Sequence, residues 1–590
     1  MLRTHTCGEL TAKNNWDNVI LSWWINKSRN LWGMLFIDLR DRYWVTQIFF
    51  DPNNKELFSK IENTKLEYVI QIKWIVSLRP SNQTNKDMFT WEIEIQPSDV
   101  TILSKCETLP FSITDNPNTS EENRFKYRFL DLRRRPVLKN IEFRTKMLSF
   151  TRERFFSKWF FDIQTPIFTV SSPEWARDYL IPSRVNPWKF YALPQAPQQY
   201  KQLLMVWWID KYFQIAPCFR DEDPRADRHS CEFYQIDCEM SFIEQQDVYD
   251  VVEWFMKDIT IKLVPNKKIV TDFVKIKYVE AFDKYWTDKP DLRFGMEFID
   301  MKDVFKNSEF SVFKDISNNA KWSIKAIKIE NKILSRKEID EFTKVAQEAK
   351  AKWLVYITYT DDWPQSSVVK FLSEQELQSI QSLSWAKTWD TVLFIWDDYD
   401  ITVRAMNKVR LAVRDKYNLV SKDDLSFVWI EDFPMFERDE ETWWLAFAHN
   451  PFSYIKWWVE AFETLDPLEL ETTQYDLVVN WYECLSWSIR NHNPEVLLKV
   501  FQAVGMWEKE IIEKFWAMYE AFKYWPPPHW WFAIWFDRFM MILIDEENIR
   551  ECYAFPKSGR AEDTMMWAPS IVDTKLLDEL HIKINLPKDK

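Results

Sequence analysis

A chain of this length must turn many times, and this one has almost nothing to turn with. Of its 590 residues 5 are glycine and 34 are tryptophan, whereas glycine ordinarily makes up roughly 7% of a globular chain. Tight turns and helix ends need backbone at positive φ, which glycine enters without steric cost. The tryptophans stand where such turns are expected: Asn15-Trp16-Asp17, Asp362-Trp363-Pro364, Thr388-Trp389-Asp390 and Tyr524-Trp525-Pro526. We therefore read most of these tryptophans as glycines. Some bacterial lineages decode UGA as glycine, and a translation table that assigns UGA to tryptophan would print this sequence. The competing reading is a protein truly rich in tryptophan, and UGG codons throughout the gene would establish it.

The chain is long enough for several domains and a large core. A charged fraction of 28% and a hydrophobic fraction of 46% fit a soluble globular protein. The net charge of -13 argues against a general polyanion binder, but leaves room for a nucleic acid held by a local basic patch. No apolar run approaches the roughly 20 residues of a membrane span, and the start, Met1 to Thr6, has no apolar signal core. Seven scattered cysteines without paired metal spacing point to a reducing, cytoplasmic setting.

Residues 1–105 carry five short strand-like runs: Val19–Ser22, Met34–Arg40, Val45–Phe50, Tyr68–Ile72 and Trp91–Ile95. That number and spacing predict a Greek-key barrel of the OB type. Phe36, Gln47 and Phe49 would share a face near Arg29, Arg40 and Arg42, a combination suited to unstacked bases. From the residues alone, a core role for the two phenylalanines is the stronger reading. Residues 106–140 are expected to form a hinge that carries a basic run, Lys126 to Arg135.

Beyond it, Ile141–Lys158 has helical spacing, Phe160–Pro166 reads as a strand stopped by proline, and Gln195 opens a helix to about Ile209. Two alternating runs follow, Cys218–Asp223 and Glu232–Glu239, joined by a polar loop. Alternation predicts one polar face bearing Arg220, Glu222, Phe233, Gln235, Asp237 and Glu239, with Arg225 and Arg228 in the loop. So much charge on one sheet face suits a charged ligand. A solvated hairpin with surface ion pairs suits it equally well. Residues 290–428 change character, with interspersed charge and αβ alternation, and read as an inserted domain. After them come a buried strand from Phe427, the strand pair Tyr475–Asn480 and Tyr482–Arg490, a helix over Ile511–Lys523, and Trp535-Phe536-Asp537-Arg538 leading into an apolar helix.

Taken in order, these residues resemble bacterial aspartyl-tRNA synthetases, members of the class II aminoacyl-tRNA synthetases. Phe160–Pro166 resembles motif 1, a helix and strand ending in a dimer-interface proline. Phe219–Glu222 and Phe233 match motif 2. Trp535–Arg538 matches motif 3, G-x-D-R, except at the glycine. Tyr127–Arg134 and Asp288–Arg293 resemble phrases of the aspartyl branch. Family glycines fall at Trp23, Trp32, Trp44, Trp91, Trp175, Trp188, Trp286, Trp481, Trp487, Trp530, Trp531, Trp535 and Trp567, while family tryptophans fall at Trp24 and Trp429. The departures are Asn450 in place of a second histidine, Leu485 and Ser486 in place of glycines, and a motif 2 loop one residue longer.

The resemblance implies a multidomain α/β protein: an OB-fold anticodon-binding domain (1–105), a hinge (106–140), a class II antiparallel-sheet catalytic domain in two parts (141–289 and 429–560), an inserted α+β domain of the bacterial type (290–428), and a C-terminal extension (561–590). It implies that ATP activates L-aspartate to aspartyl-adenylate and that aspartate then passes to tRNA(Asp), and it leaves open whether tRNA(Asn) is a further acceptor. Arg220 and Arg538 would be catalytic. Glu174, Gln198, Lys201, Arg220, Asp237, His449 and Arg490 would hold aspartate, with Lys201 and His449 adding positive charge. Arg220, Asp221, Glu222, His229, Phe233, Glu483, Trp535, Phe536, Asp537 and Arg538 would hold ATP. Asp476 and Glu483, facing one another across paired strands, would hold Mg2+. Phe36, Gln47 and Phe49 would read the anticodon, and the protein would be a homodimer. Were the indoles real, the alternative is a catalytically inactive tRNA- or RNA-binding paralogue.

Overall fold

The computed structural model describes every residue except 1, 32, 80–89, 172–175, 310, 440–441, 450, 457–460, 492, 525 and 587–590, and the side chains of 463 and 487. The chain divides into two compact units, Met1–Leu138 and Lys139–Lys590.

The first unit is built on a closed five-stranded barrel. Strands β1 (Asn18–Leu31), β2 (Met34–Arg40), β3 (Val45–Phe50), β4 (Val69–Leu78) and β5 (Ile93–Ser104) close in the order β1-β2-β3-β5-β4. Period-two alternation fills it. Leu35, Ile37 and Leu39 from β2 and Ile48 and Phe50 from β3 are buried inside. Phe36 and Phe49 pair directly across β2 and β3, as do Asp38 and Gln47. This register puts Phe36, Gln47 and Phe49 on the outer face, half-buried, so the core role read from the residues alone does not hold.

The expected hinge is ordered. It contains two short helices, Glu121–Lys126 and Arg128–Asp131. Its basic run is partly internal: Asp131, fully buried, pairs with Arg128, with Arg134 at 2.5 Å and with Arg124 at 3.2 Å. Glu67 likewise holds Arg40 at 2.5 Å and Arg133 at 2.6 Å. Buried carboxylates thus pair with these cations.

The second unit is organised by an eight-stranded sheet. Its strands are β6 (Phe161–Asp162), β7 (Lys211–Phe219), β8 (Glu232–Ser241), β9 (Lys268–Lys277), β10 (Asp424–Glu431), β11 (Gln474–Val479), β12 (Tyr482–Ile489) and β13 (His529–Trp535). They lie in the order β9-β10-β11-β12-β13-β8-β7-β6. All neighbours run antiparallel except β9 with β10 and β6 with β7. Helix α1 (Arg135–Ser157), the helix Gln245–Leu263 and helix α3 (Phe536–Leu543) supply apolar side chains to one core with the sheet, in which Phe155 stacks on Phe213 at 4.8 Å. Helix α2 (Gln198–Val206) precedes β7.

A second sheet, of four strands, lies between β9 and β10 in sequence: Ile299–Asp300, Trp322–Ile329, Thr391–Asp398 and Leu354–Thr358, in that spatial order. It has its own apolar clusters. Where the chain enters and leaves this region, Arg293 donates to the carbonyls of Ser421 and Asp424, and Arg410 donates to those of Asp291 and Gly295. The expected helix over 511–523 is two helices, Glu508–Lys514 and Trp516–Phe522, because buried Phe515 between them leaves helical geometry at φ -115 and ψ 24.

Candidate active site

The middle of the large sheet carries a cavity of about 300 Å³. Strand β7 stops at Phe219, so Arg220 and Glu222 lie beyond its end and not on the strand face expected for them. The hairpin still closes through them: the Arg220 N–H donates to the Cys231 carbonyl at 2.8 Å, and the Glu222 N–H to the Arg220 carbonyl at 2.9 Å. Both side chains line the cavity, with His229 and Phe233. The Arg220 guanidinium sits 5.3 Å from the Phe233 ring.

The opposite wall comes from β11 to α3. Asp476, Glu483 and Arg538 line the cavity there. Arg538 is buried and donates to the backbone carbonyls of Arg228 and Glu483, which aims it across the site. Burial pulls its guanidinium below its usual range, and Glu483 opposes that pull. Asp476 and Glu483 do not face one another: Asp476 pairs with Ser486 and Glu483 with Val478, on either side of a register shift. Burial, then the charge of Glu483, pushes the Asp476 carboxyl well above the usual range. Burial also acts against Glu483, but Lys289 and Arg538 outweigh it and hold that carboxyl below its ordinary value. Two carboxylates in one cavity, one strained by the other's charge, would fit a divalent cation that takes its remaining ligands from elsewhere. Among the described residues, no three metal-ligating side chains gather into a complete protein cage.

Behind this cavity lies a charged layer. Lys201 of α2 and Asp237 of β8 form an ion pair in which both side chains are fully buried. Arg490, also fully buried, donates to the Gln198 side-chain oxygen. Gln198 reaches the cavity, but Lys201, Asp237 and Arg490 are not in its lining. The indole of Trp531 covers them, 4.2 Å from the Lys201 ammonium and 4.1 Å from the Arg490 guanidinium. His449 lines the cavity. Burial lowers its pKa to about 4, so at neutral pH it is an uncharged ring and not the cation expected.

The other expected residues divide. Trp535 lines the cavity and stacks on Phe233 at 4.7 Å. Phe536 faces the apolar core, because helix α3 turns it inward. Asp537 is a structural acceptor, taking hydrogen bonds from Arg144 and, at 2.7 Å, from the Tyr234 N–H. Asp221 is exposed, with its N–H on the Arg177 carbonyl. None of these three lines the cavity. Glu174 lies outside the described residues.

Sequence reasoning missed Gln474, Ser486 and Lys289. Gln474 and Ser486 line the cavity, and Ser486 donates to Asp476. Lys289 sits 3.6 Å from Glu483. The signal for Lys289 was the phrase Asp288–Arg293, which carries a family resemblance but no assigned role. Ser486 was visible only as a departure from the family.

Residues 120–559 match the family described as tRNA synthetases class II (D, K and N), and residues 19–103 match the OB-fold nucleic acid binding domain. The chain belongs to the class II aminoacyl-tRNA synthetases, in their D, K and N group. It is 43% identical over 590 residues to the aspartate–tRNA(Asp/Asn) ligase of Chlorobium phaeobacteroides (strain BS1), covering 100% of this chain and 96% of that one. It is 40% identical over 590 residues to the aspartate–tRNA ligase of Streptomyces avermitilis, covering 100% and 99%. Its fold is similar to that of an asparaginyl-tRNA synthetase from Pyrococcus horikoshii, with a TM-score of 0.57 at 15% identity over 95% of this chain and 99% of that one.

Proposed function

We propose that this protein activates L-aspartate with ATP and transfers it to tRNA(Asp), with tRNA(Asn) as a second acceptor. In the first step an oxygen of the aspartate α-carboxylate attacks the α-phosphorus, the bond to the bridging oxygen breaks, and pyrophosphate leaves. In the second, a hydroxyl at the tRNA 3′ end attacks the acyl carbon and AMP leaves. The observation that carries the proposal is the convergence, at one cavity and the layer behind it, of cations for a carboxylate and a triphosphate with an aromatic face for a base.

Little covalent chemistry is asked of the protein, so positioning and charge neutralisation dominate. Arg220 bridges the attacking carboxylate and the α-phosphate with its forked donors. Phe233 stacks on adenine and Glu222 accepts from its amino group. Arg538, in the first turn of α3, takes the γ-phosphate. Arg490 pairs with the aspartate side-chain carboxylate and Lys201 adds charge. Asp237, Gln198 and Glu174 receive the ammonium. His229 stands beside the adenine ring, and His449, neutral at rest, offers a hydrogen bond. Asp476 and Glu483 would hold Mg2+, which supplies charge neutralisation on the phosphates when bound.

The outward Phe36, Gln47 and Phe49 stack on and read the anticodon, a role supported by the match of residues 19–103 to a nucleic-acid-binding fold. Residues 290–428 are the bacterial insertion, and 561–590 an extension. We assign a cytoplasmic homodimer; the two-residue β6 lies at the sheet's edge and its Phe161 is exposed. Among the described residues no helix is long and apolar enough to cross a membrane.

The test is pyrophosphate–ATP exchange by protein purified from the cells that make it, with aspartate, asparagine or lysine added. Exchange driven by aspartate alone is expected. Exchange driven by asparagine or lysine and not by aspartate would sink the proposal, and charging of purified tRNA(Asn) tests the second acceptor.

A further inference from the structure

Two independent features concern the tryptophans. The first is backbone geometry. Among the described residues 21 non-glycine residues have positive φ, and nine of them are tryptophan: Trp16, Trp159, Trp188, Trp208, Trp286, Trp385, Trp389, Trp443 and Trp567, with φ between 52 and 78. A bulky L-residue is disfavoured there, because its Cβ crowds the adjacent carbonyl. Asparagine and aspartate, which tolerate the region, together contribute five. Four of the nine stand at or just past helix ends, Trp208 among them, two residues beyond α2. Trp286 and Trp385 are left-handed caps, and Trp159 follows α1 by two residues. These are positions where glycine is the default. Eight of the nine indoles are exposed and gain little in return, Trp208 at 96% and Trp188 at 89%; Trp286 is the exception, packed against Phe282 and Tyr399.

The second feature is the cavity. The Trp535 indole lies against Phe233, with Arg220 5.0 Å and Arg538 4.3 Å from its centroid. That is the space in which a purine would stack. The Trp531 indole lies over Lys201 and Arg490, between them and the cavity. It occupies the space in which a side-chain carboxylate would meet the two cations. With a residue lacking a side chain at 531, the buried cations open to the cavity; with one at 535, a slot opens beside Phe233. The remaining 300 Å³ is at the lower limit for a ligand pocket, and a nucleotide and an amino acid must enter together.

We infer that the working protein carries glycine, not tryptophan, at 531 and 535 and at the nine left-handed positions, the codons there being read as glycine. The pocket half of this inference rests on the proposed function, and the backbone half does not.

The test is peptide mass spectrometry on protein purified from the cells that make it, together with the codons of its gene. Peptides spanning 159, 188, 208, 286, 531 and 535 should each be lighter by the difference between a tryptophan and a glycine residue. Their codons should be UGA, whereas Trp429, which is fully buried and donates its indole N–H to Glu253 at 3.1 Å, should keep its mass and a UGG codon. Tryptophan mass at 531 or 535 overturns the inference whatever the activity. As a second measurement, a protein made from UGG codons at every tryptophan position should exchange pyrophosphate with aspartate at least roughly 100-fold more slowly than the native protein. Equal rates overturn the inference for the pocket. Glycine masses in a native protein that shows no aspartate-dependent exchange uphold the inference and defeat the proposed function instead.

Discussion

Replacing Glu239 with glutamine should flatten the dependence of this protein's stability on pH. Glu239 is fully buried on β8, and among the described residues neither carboxylate oxygen has a hydrogen-bond partner. Four ionisable groups face it: Arg490 and His529, each at 3.9 Å, and Lys201 and Asp237. Burial raises its pKa from 4.5 to about 7, with Arg490 and Lys201 opposing and Asp237 adding to the rise. The folded chain therefore holds a proton that the unfolded chain has released. A raised pKa gives stability that is full below the unfolded value and is lost as pH rises through the folded one. Between about pH 5 and pH 8 the loss integrates to roughly 2.5 kcal/mol. The unit spans Lys139–Lys590, and with an unfolding entropy of roughly 2 cal/mol/K per residue that energy becomes about 2 to 3 °C in melting temperature. Thermal melting of the parent and of Glu239→Gln at both pH values measures it. The parent should lose that increment on going to the higher pH, and the variant should not. If the two fall in parallel, Glu239 is not the group that titrates, and the account of the layer behind the cavity is wrong.

Arg220→Lys, in a protein competent for exchange, should lose roughly 10² to 10³ in kcat, because an ammonium cannot make the paired bonds of a guanidinium fork; stopped exchange kinetics measure this, and a change below threefold would contradict the bridging role. Phe36→Ala and Phe49→Ala should each weaken tRNA binding by about 1 to 3 kcal/mol per lost stacking surface, read as a raised KM for tRNA in charging, with aspartate-dependent exchange unchanged; an equal fall in exchange would instead mean damage to the fold. His449 should make the fold acid-sensitive. Its lowered pKa gives stability present above about 6.5 and lost as pH falls toward about 4, up to about 3 kcal/mol, and His449→Gln should melt with a shallower acid limb than the parent.

The barrel was legible because its physics is local. Alternation over β2 and β3 states which residues face inward, and the register that pairs Phe36 with Phe49 follows from a short connection. The hairpin of β7 and β8 was legible for the same reason, and so was the convergence of Arg220, Glu222 and Phe233 with Arg538. What failed depends on phase and burial. Phe536 and Asp537 stand next to Arg538, but only the rotation of α3 decides that Arg538 alone reaches the cavity. The split at Phe515 was hidden because helical spacing continues across it. His449 could be recognised as a site residue, but its charge follows from three-dimensional burial that a sequence does not state. Asp476 and Glu483 were rightly brought to one cavity, while the register shift between them was beyond any pattern of residue types.

The neck at Arg293 and Arg410 bears on how the chain folds. Arg293 and the carbonyl it meets at Ser421 are 128 residues apart in sequence, yet β9 and β10, on either side of that stretch, are parallel neighbours. If the inserted sheet collapses on its own clusters first, the neck draws its two ends together, and β9 and β10 then meet as though joined by a short tether. Closing a flexible loop becomes costlier only logarithmically, by about 0.6 kcal/mol per doubling of length, and a prefolded insert removes most of that. The large sheet can therefore form at a rate set by its short connections, and the insert can lengthen, shrink or change its surface without slowing the assembly of the site.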